Sequence, residues 1–229
     1  EGLGVSPTIV SINGKEVEKI ILNNKEVLTV LYEAAPGKHI ARIQWNATVL
    51  KELGRKIGKL HRLSRKFEQI HPTRYINDWY QNEEYAFLKY IPEEETKIRA
   101  VAQEILTKIK DIPKDNANYG LLHGDLWLEN VVVDQDLKLT MVDFQDCEKH
   151  FYIFDLAVPI YSAIEYSFVG GGNIIDYGRG ITKAIIEGYQ EENDIPKEML
   201  EKLPLFIKLK EVFEYSLMHM YWNKDKLTE

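Results

Sequence analysis

The stretch "HGDLWLENVVVDQDLKLTMVDFQD", residues 123–146, constrains this chain more than any other. It holds two short apolar runs, "VVV" (131–133) and "LKLTMV" (137–142), separated by "DQD" (134–136). Such runs with turn-forming acids between them predict an antiparallel hairpin. In a hairpin the start of the first strand lies beside the end of the second. Asn130 just precedes the first strand and Asp143 just follows the second, so pairing brings both to the open end. Asp125 lies in the loop that feeds the same end. An amide oxygen and at least two carboxylates are hard donors. They suit Mg²⁺, which prefers one or two protein carboxylates completed by phosphate oxygens. A lone Asp–Asn pair near a hairpin is more often structural, capping a turn, so spacing must decide.

The spacing matches the protein-kinase catalytic loop H-R-D-L-x-x-x-N followed by D-F-G. Residues 123–130 read H-G-D-L-W-L-E-N, with His123, Asp125, Leu126 and Asn130 in register and Gly124 in place of Arg. Residues 143–145 read D-F-Q, departing at the third position. In this pattern Asp125 accepts the proton of an attacking hydroxyl. Asn130 and Asp143 hold Mg²⁺ against the phosphates of ATP and offset charge as the terminal phosphoryl moves.

"LLHGDLWLENVVV" (121–133), "MVDFQDCEKHFYIFDLA" (141–157) and "LGRKIGKLHRLS" (53–64) resemble the aminoglycoside phosphotransferase and choline kinase family, which has a protein-kinase-like fold. The resemblance covers nearly the whole chain. A bacterial branch with homoserine-kinase-like and spore-coat-associated members looks closest. The resemblance implies that Asp125 is the catalytic aspartate and that His123 orders the loop. It makes Asn130 and Asp143 metal and nucleotide ligands. It also implies that Asp155, in "FDLA", anchors the catalytic loop, where position alone reads as a helix N-cap. Asp146 is either a second carboxylate near the metal or substrate, or a solvated turn acid. Relatives often carry a glycine after the metal-binding segment, and "CEKHF" (147–151) has none.

The rest of the chain fits an α+β, two-lobe, protein-kinase-like fold. Residues 8–12, 17–22 and 27–32 are rich in Val, Ile and Thr, with "NGK" and "NNK" between them, and predict a small antiparallel meander. Helical periodicity follows at about 40–67 and 94–109, then at about 152–168, 174–191 and 203–223. "FVGGGN" (168–173) separates two helices and reads as a loop. The expected division is residues 1–35 as a remnant of the sheet lobe and hinge, and 36–229 as a helical lobe carrying the catalytic loop and hairpin. Backbone groups near Glu33, Ala34 and Ala35 are the expected adenine contacts. A phosphate-covering glycine-rich loop and a strand lysine are not visible: "EGLGVSP" (1–7) offers only Gly2 and Gly4. A longer natural chain is therefore expected, with roughly 50–70 upstream residues by analogy with a complete small lobe.

A net charge of −7 and a pI near 5.5 argue against nucleic acid as the main partner and fit a cationic small molecule. Cys147 is the only cysteine, which rules out an intrachain disulfide and fits a reducing, cytoplasmic setting. No apolar run approaches the roughly 18–20 residues that cross a bilayer, so no membrane association is expected. The expected function is an ATP- and Mg²⁺-dependent phosphotransferase acting on a hydroxyl of a small amine-bearing acceptor, such as an amino alcohol, homoserine or an aminoglycoside. The competing readings are a kinase-like scaffold with little catalysis, a protein Ser/Thr kinase of the same fold, and a metal-dependent hydrolase using water. Trp127 and an acidic, aromatic set on the later helices (Glu165, Glu214, Tyr215, His219, Tyr221, Trp222) are candidates for the acceptor wall, through charge and cation–π contacts. At helical spacing, Tyr215 and Trp222 read more often as core residues than as part of that wall.

Overall fold

The computed structural model describes residues 3–71, 73–167 and 172–222. Gly2 and most of the "FVGGG" segment lie outside them. Four short strands come first: β1 (Thr8–Ile9), β2 (Glu18–Leu22), β3 (Lys25–Thr29) and β4 (Leu31–Tyr32). Their pairing is nested, β2 with β3 and β1 with β4, rather than the sequential meander expected from the sequence. The β2–β3 turn forms because Asn23 and Asn24 both adopt positive φ (50° and 60°), the conformation of a tight two-residue hairpin turn. The β1–β4 pair closes over that hairpin, and such a long-range pairing leaves no local mark in sequence.

The helical part starts with α1 (Ala47–Ile70), later than the expected residue 40; Asn46 caps it by accepting the backbone N–H groups of Thr48 and Val49. Then come α2 (Phe87–Tyr90) and α3 (Thr96–Lys110). Strand β5 (Tyr119–Leu122) pairs with β8 (Glu148–Phe151), and between them lies the hairpin of β6 (Val131–Val133) and β7 (Leu139–Met141). Helices α4 (Ile153–Ser162), α5 (Ile174–Gln190), α6 (Lys197–Leu200) and α7 (Leu203–Tyr221) complete the chain. The helix expected over 152–168 ends sooner: α4 gives way to a π-helical turn at Ala163–Ser167.

One core joins these helices. Leu50, Leu53 and Ile57 of α1, Ile185 and Tyr189 of α5, Leu156 and Ile160 of α4, and Phe206 and Leu209 of α7 are all inaccessible to solvent. Helix α1 lies directly on α5, because small residues let the two backbones meet. A Cβ on Gly54 would come within 2.0 Å of the Ile185 carbonyl oxygen, and one on Gly188 within 1.8 Å of that of Lys51. This close crossing fixes the face of α1 that carries His61. Among the described residues, no helix is long and apolar enough to cross a membrane. The architecture is α+β, with small antiparallel pairs and a mainly helical remainder.

Candidate active site

The hairpin forms where the sequence places it, with Val131 opposite Met141 and Val133 opposite Leu139. Its second strand is shorter than expected. Leu137 takes a left-handed φ of 58°, and the Asp134 carboxylate accepts the N–H groups of Asp136 and Lys138, so the turn consumes two more residues. The Val142 N–H donates to the Asn130 carbonyl at 3.0 Å, which sets Asn130 beside Asp143 at the open end. Asp143 holds φ 63°, ψ 65°, a left-handed conformation that Asp tolerates better than most residues. Both hairpin edges are gripped by the strand region. Met141 N–H donates to the Gly4 carbonyl, and Lys38 exchanges backbone hydrogen bonds with Val133.

Asp125 reaches the same neighbourhood from the preceding loop. The Asn130 Nδ2 donates to the Asp125 carbonyl (2.8 Å) and to its Oδ2 (3.0 Å), which leaves the Asn130 Oδ1 available. His123 is fully buried; its Nε2–H donates to the Val142 carbonyl (3.0 Å), so Nδ1 is the acceptor facing the Asp125 N–H (3.3 Å). Gly124 shows why glycine stands where the kinase pattern has Arg. Its φ is +87°, and a Cβ there would lie 2.3 Å from the Asp146 carbonyl oxygen.

Asp155 is not a helix N-cap. Helix α4 has no side-chain cap, and the Asp155 carboxylate turns to the catalytic loop, accepting the N–H groups of His123 and Gly124, each at 3.0 Å. His61 Nε2–H donates to it at 2.9 Å, Tyr189 OH donates to His61 Nδ1 at 3.0 Å, and Asn193 Nδ2 donates to Tyr189 OH at 2.6 Å. Arg65 donates to Asn193 and ends this buried chain. Burial opposes the charge on Asp155, but the His61 hydrogen bond and the nearby imidazoles outweigh it and hold the carboxyl below its usual range. His61 belongs to a segment that carried the family resemblance, yet its role was not legible without the fold.

A cleft of about 800 Å³ opens in front of Asp125. Carboxylates line it: Glu83, Glu84, Asp146, Glu148 and Glu214, besides Asp125 itself. Tyr85, Trp127, Phe213 and Tyr221 supply aromatic faces, and Lys210 is the single Lys, Arg or His among the lining residues. Burial, followed by the charges of Asp125, Glu84 and Asp143, pushes the Asp146 carboxyl above its usual range. The Glu148 carboxyl is raised to about 8 by burial, against the opposing hydrogen bonds from Tyr85 OH (2.7 Å) and Asn82 Nδ2 (2.6 Å).

Of the residues proposed for the acceptor wall, Trp127, Glu214 and Tyr221 line the cleft. Tyr215 instead donates to Glu95 and stacks edge-on with His219, which also faces Glu95. Trp222 is exposed, and neither it nor Glu165 is among the lining residues. Glu33, Ala34 and Ala35 follow β4 and do not line this cleft either. Lys210, Glu148 and Tyr85 were missed in sequence, because each looks ordinary in its own element.

The donor set fits a hard divalent cation. Burial and then the charges of Asp125, Glu84 and Asp143 raise the Asp146 carboxyl, and a cation would relieve that concentration of negative charge. Among the described residues no group of three His, Cys, Asp or Glu side chains could hold a metal alone.

This fold and site define a phosphotransferase. The profile of the phosphotransferase enzyme family matches residues 7–178, and the chain belongs to that family. It is 29% identical over all 229 residues to the amicoumacin kinase of Bacillus subtilis (strain 168), spanning 68% of that protein. Among solved structures it is similar to an amicoumacin kinase in complex with AMP-PNP, Ca²⁺ and Ami, with a TM-score of 0.90 and 26% identity over 99% of this chain and 68% of the other. A microcompartment-associated aminopropanol kinase shares the fold at a TM-score of 0.69 and 18% identity, over 96% of this chain and 69% of its own. A choline kinase from Streptococcus pneumoniae does so at 0.60 and 12%, over 89% and 65%.

Proposed function

We propose that this chain is a kinase that moves the terminal phosphoryl group of ATP to a hydroxyl of a small, amine-bearing acceptor held in the cleft. The observation that carries the reading is the position of Asp125, held by Asn130 and facing a cleft walled by acids and aromatic rings. Asp125 accepts the acceptor's hydroxyl proton. The carboxylates and the faces of Trp127, Tyr85 and Tyr221 suit an ammonium group through charge and cation–π attraction. Asn130 and Asp143 would hold Mg²⁺, with Asp146 alongside; bound Mg²⁺ supplies charge neutralisation along the phosphates. The backbone of Glu33, Ala34 and Ala35 is the proposed adenine contact; the Lys38–Val133 pairing that ties this segment to the hairpin supports it. The relatives named above as acting on amicoumacin, aminopropanol and choline support an amine-bearing acceptor.

The test is a phosphorylation screen of the full natural chain with ATP and Mg²⁺. The panel holds amino alcohols, choline, homoserine, aminoglycosides, amicoumacin and a generic protein substrate. Transfer to amine-bearing alcohols is expected. Transfer to the protein alone, or ATP turnover with water as sole acceptor, would overturn the proposal. Asp143→Ala should weaken ATP binding more with Mg²⁺ present than without it; an equal loss in both titrations would remove Asp143 from the metal site.

A further inference from the structure

Lys210 carries charge where the cleft is otherwise acidic. It lies on α7, 85 positions along the chain from Asp125, yet its Nζ sits 3.2 Å from the Asp125 Oδ1. A second carboxylate, Glu214 one turn further along α7, is 2.6 Å away. The ammonium also lies 5.3 Å from the Trp127 ring centroid and 4.9 Å from that of Phe213. The Lys210 side chain is only 2% exposed. Burying an ammonium is costly, and a buried ion pair is often no more stable than well-packed apolar residues of similar volume. Packing alone therefore gives weak reason for a lysine here.

The geometry at Asp125 supplies a reason. Its Oδ2 accepts from the Asn130 amide and its Oδ1 from Lys210, so the two oxygens are held from opposite parts of the fold. Asn130 belongs to the mouth of the catalytic hairpin, and Lys210 to the last long helix. Without Lys210, Asp125 would keep one tether and would face Asp146 and Glu214 with no nearby positive charge from the lining residues.

We propose that Lys210 is a positioning residue for phosphoryl transfer. It fixes the rotation of the Asp125 carboxylate toward the acceptor hydroxyl and offsets the surrounding carboxylates, while Glu214 holds Lys210 in place. This inference rests on the phosphotransferase reading above. A purely structural lysine would neutralise Glu214 and have no energetic link to Asp125.

Lys210→Met keeps most of the length of the side chain and removes its charge. On the full natural chain kcat should fall roughly 10–100-fold, the scale of a misplaced reacting group. The KM for an amine-bearing acceptor should stay level or fall, because the cleft becomes more negative. Lys210→Arg should recover part of kcat. In an Asp125→Asn background, Lys210→Met should add less than about a twofold further loss, because the group it positions is already gone. If Lys210→Met fails to fold, Lys210→Arg, which displaces the charge, carries the same comparison against Asp125→Asn. A kcat within twofold of the parent, or losses that multiply independently with Asp125→Asn, would overturn the role of Lys210 and leave the kinase reading intact. A parent chain that phosphorylates nothing in the panel would overturn both.

Discussion

The hairpin β2–β3 and the hairpin β6–β7 are both short, antiparallel and rich in branched apolar residues, but their registers are set by different forces. In β2–β3, Ile20 faces Val27 across one side, while Ile21 and Leu28 lie on the other. No residue of either strand is buried, with Ile21 71% and Leu28 62% exposed. Burial cannot select a register when apolar groups occupy both faces. The Asn23–Asn24 turn does so locally. In β6–β7 every residue is buried, and neighbouring backbone grips both edges. Register there follows from tertiary packing, and the ends Asn130 and Asp143, proposed above as metal ligands, are positioned by it. A catalytic hairpin needs that second kind of control, because a slip of one residue would exchange the two faces.

The largest expected contrast is catalytic. Asp125→Asn keeps shape and the Asn130 contact but removes the proton acceptor, and general-base loss costs on the order of 10²–10⁴ in rate. Thermal unfolding should barely move. Retention of more than about a tenth of the activity would reject Asp125 as the base. Next comes the core that supports the loop. Leu53 is fully buried in α1, so Leu53→Ala should cost about 2–5 kcal/mol in denaturant unfolding. A loss below about 1 kcal/mol would show that α1 and α5 collapse onto the cavity.

A further effect separates the two regions by pH. Glu148, buried beside β5, ionises near 4.5 when unfolded and at about 8 when folded. Between those values the unfolded chain releases its proton first, so stability falls as pH rises, by up to roughly 1.4 kcal/mol per pH unit. Above about 8 the penalty is complete. Glu148→Gln should flatten the curve across that window and stabilise the protein at pH 8. Parallel melting-temperature profiles for the two proteins would remove Glu148 as the source. In the strand region Glu18 has the opposite sign: hydrogen bonds from Ser11 and Asn13 lower its carboxyl, so its contribution is lost as pH falls rather than as it rises.

The same division explains what could be read in advance. The β6–β7 hairpin was legible because period-two apolar runs flanked an acidic turn, and its open end then placed Asn130 and Asp143 together. The pairing of β1 with β4 was not, because it closes over another hairpin and depends on no local signal. Asp155 was legible through the family motif, whereas position alone pointed to a cap that does not form. Lys210 was illegible because "KLKEVFE" is an ordinary helical pattern, in which Lys210 and Glu214 form an i,i+4 pair typical of a solvated face. Only the packing of α7 against the catalytic loop turns that face inward. Glu148 and Tyr85 likewise meet across 63 positions of sequence.

The smallest effects should come from the exposed strands, and they test whether the turn sets the register there. Leu28→Thr replaces an exposed residue with another good strand former, so global stability should change by less than about 0.5 kcal/mol. The nearby Lys19–Glu26 pair is solvent-exposed on both sides and worth no more than about 1 kcal/mol, so it cannot hold the hairpin alone. Asn24→Val is different in kind. A β-branched residue would be forced to φ 60°, a strain of order 1–3 kcal/mol confined to the turn. Amide protection across Ile20–Val27 should be lost by hydrogen exchange, while protection in α1 and α4 and the thermal midpoint stay as they were. Should Leu28→Thr instead cost more than about 1.5 kcal/mol, the scale of a buried side chain, that face is covered in solution and packing, not Asn23–Asn24, selects the register. Should Asn24→Val leave protection unchanged, the β1–β4 closure holds the hairpin in place without its turn.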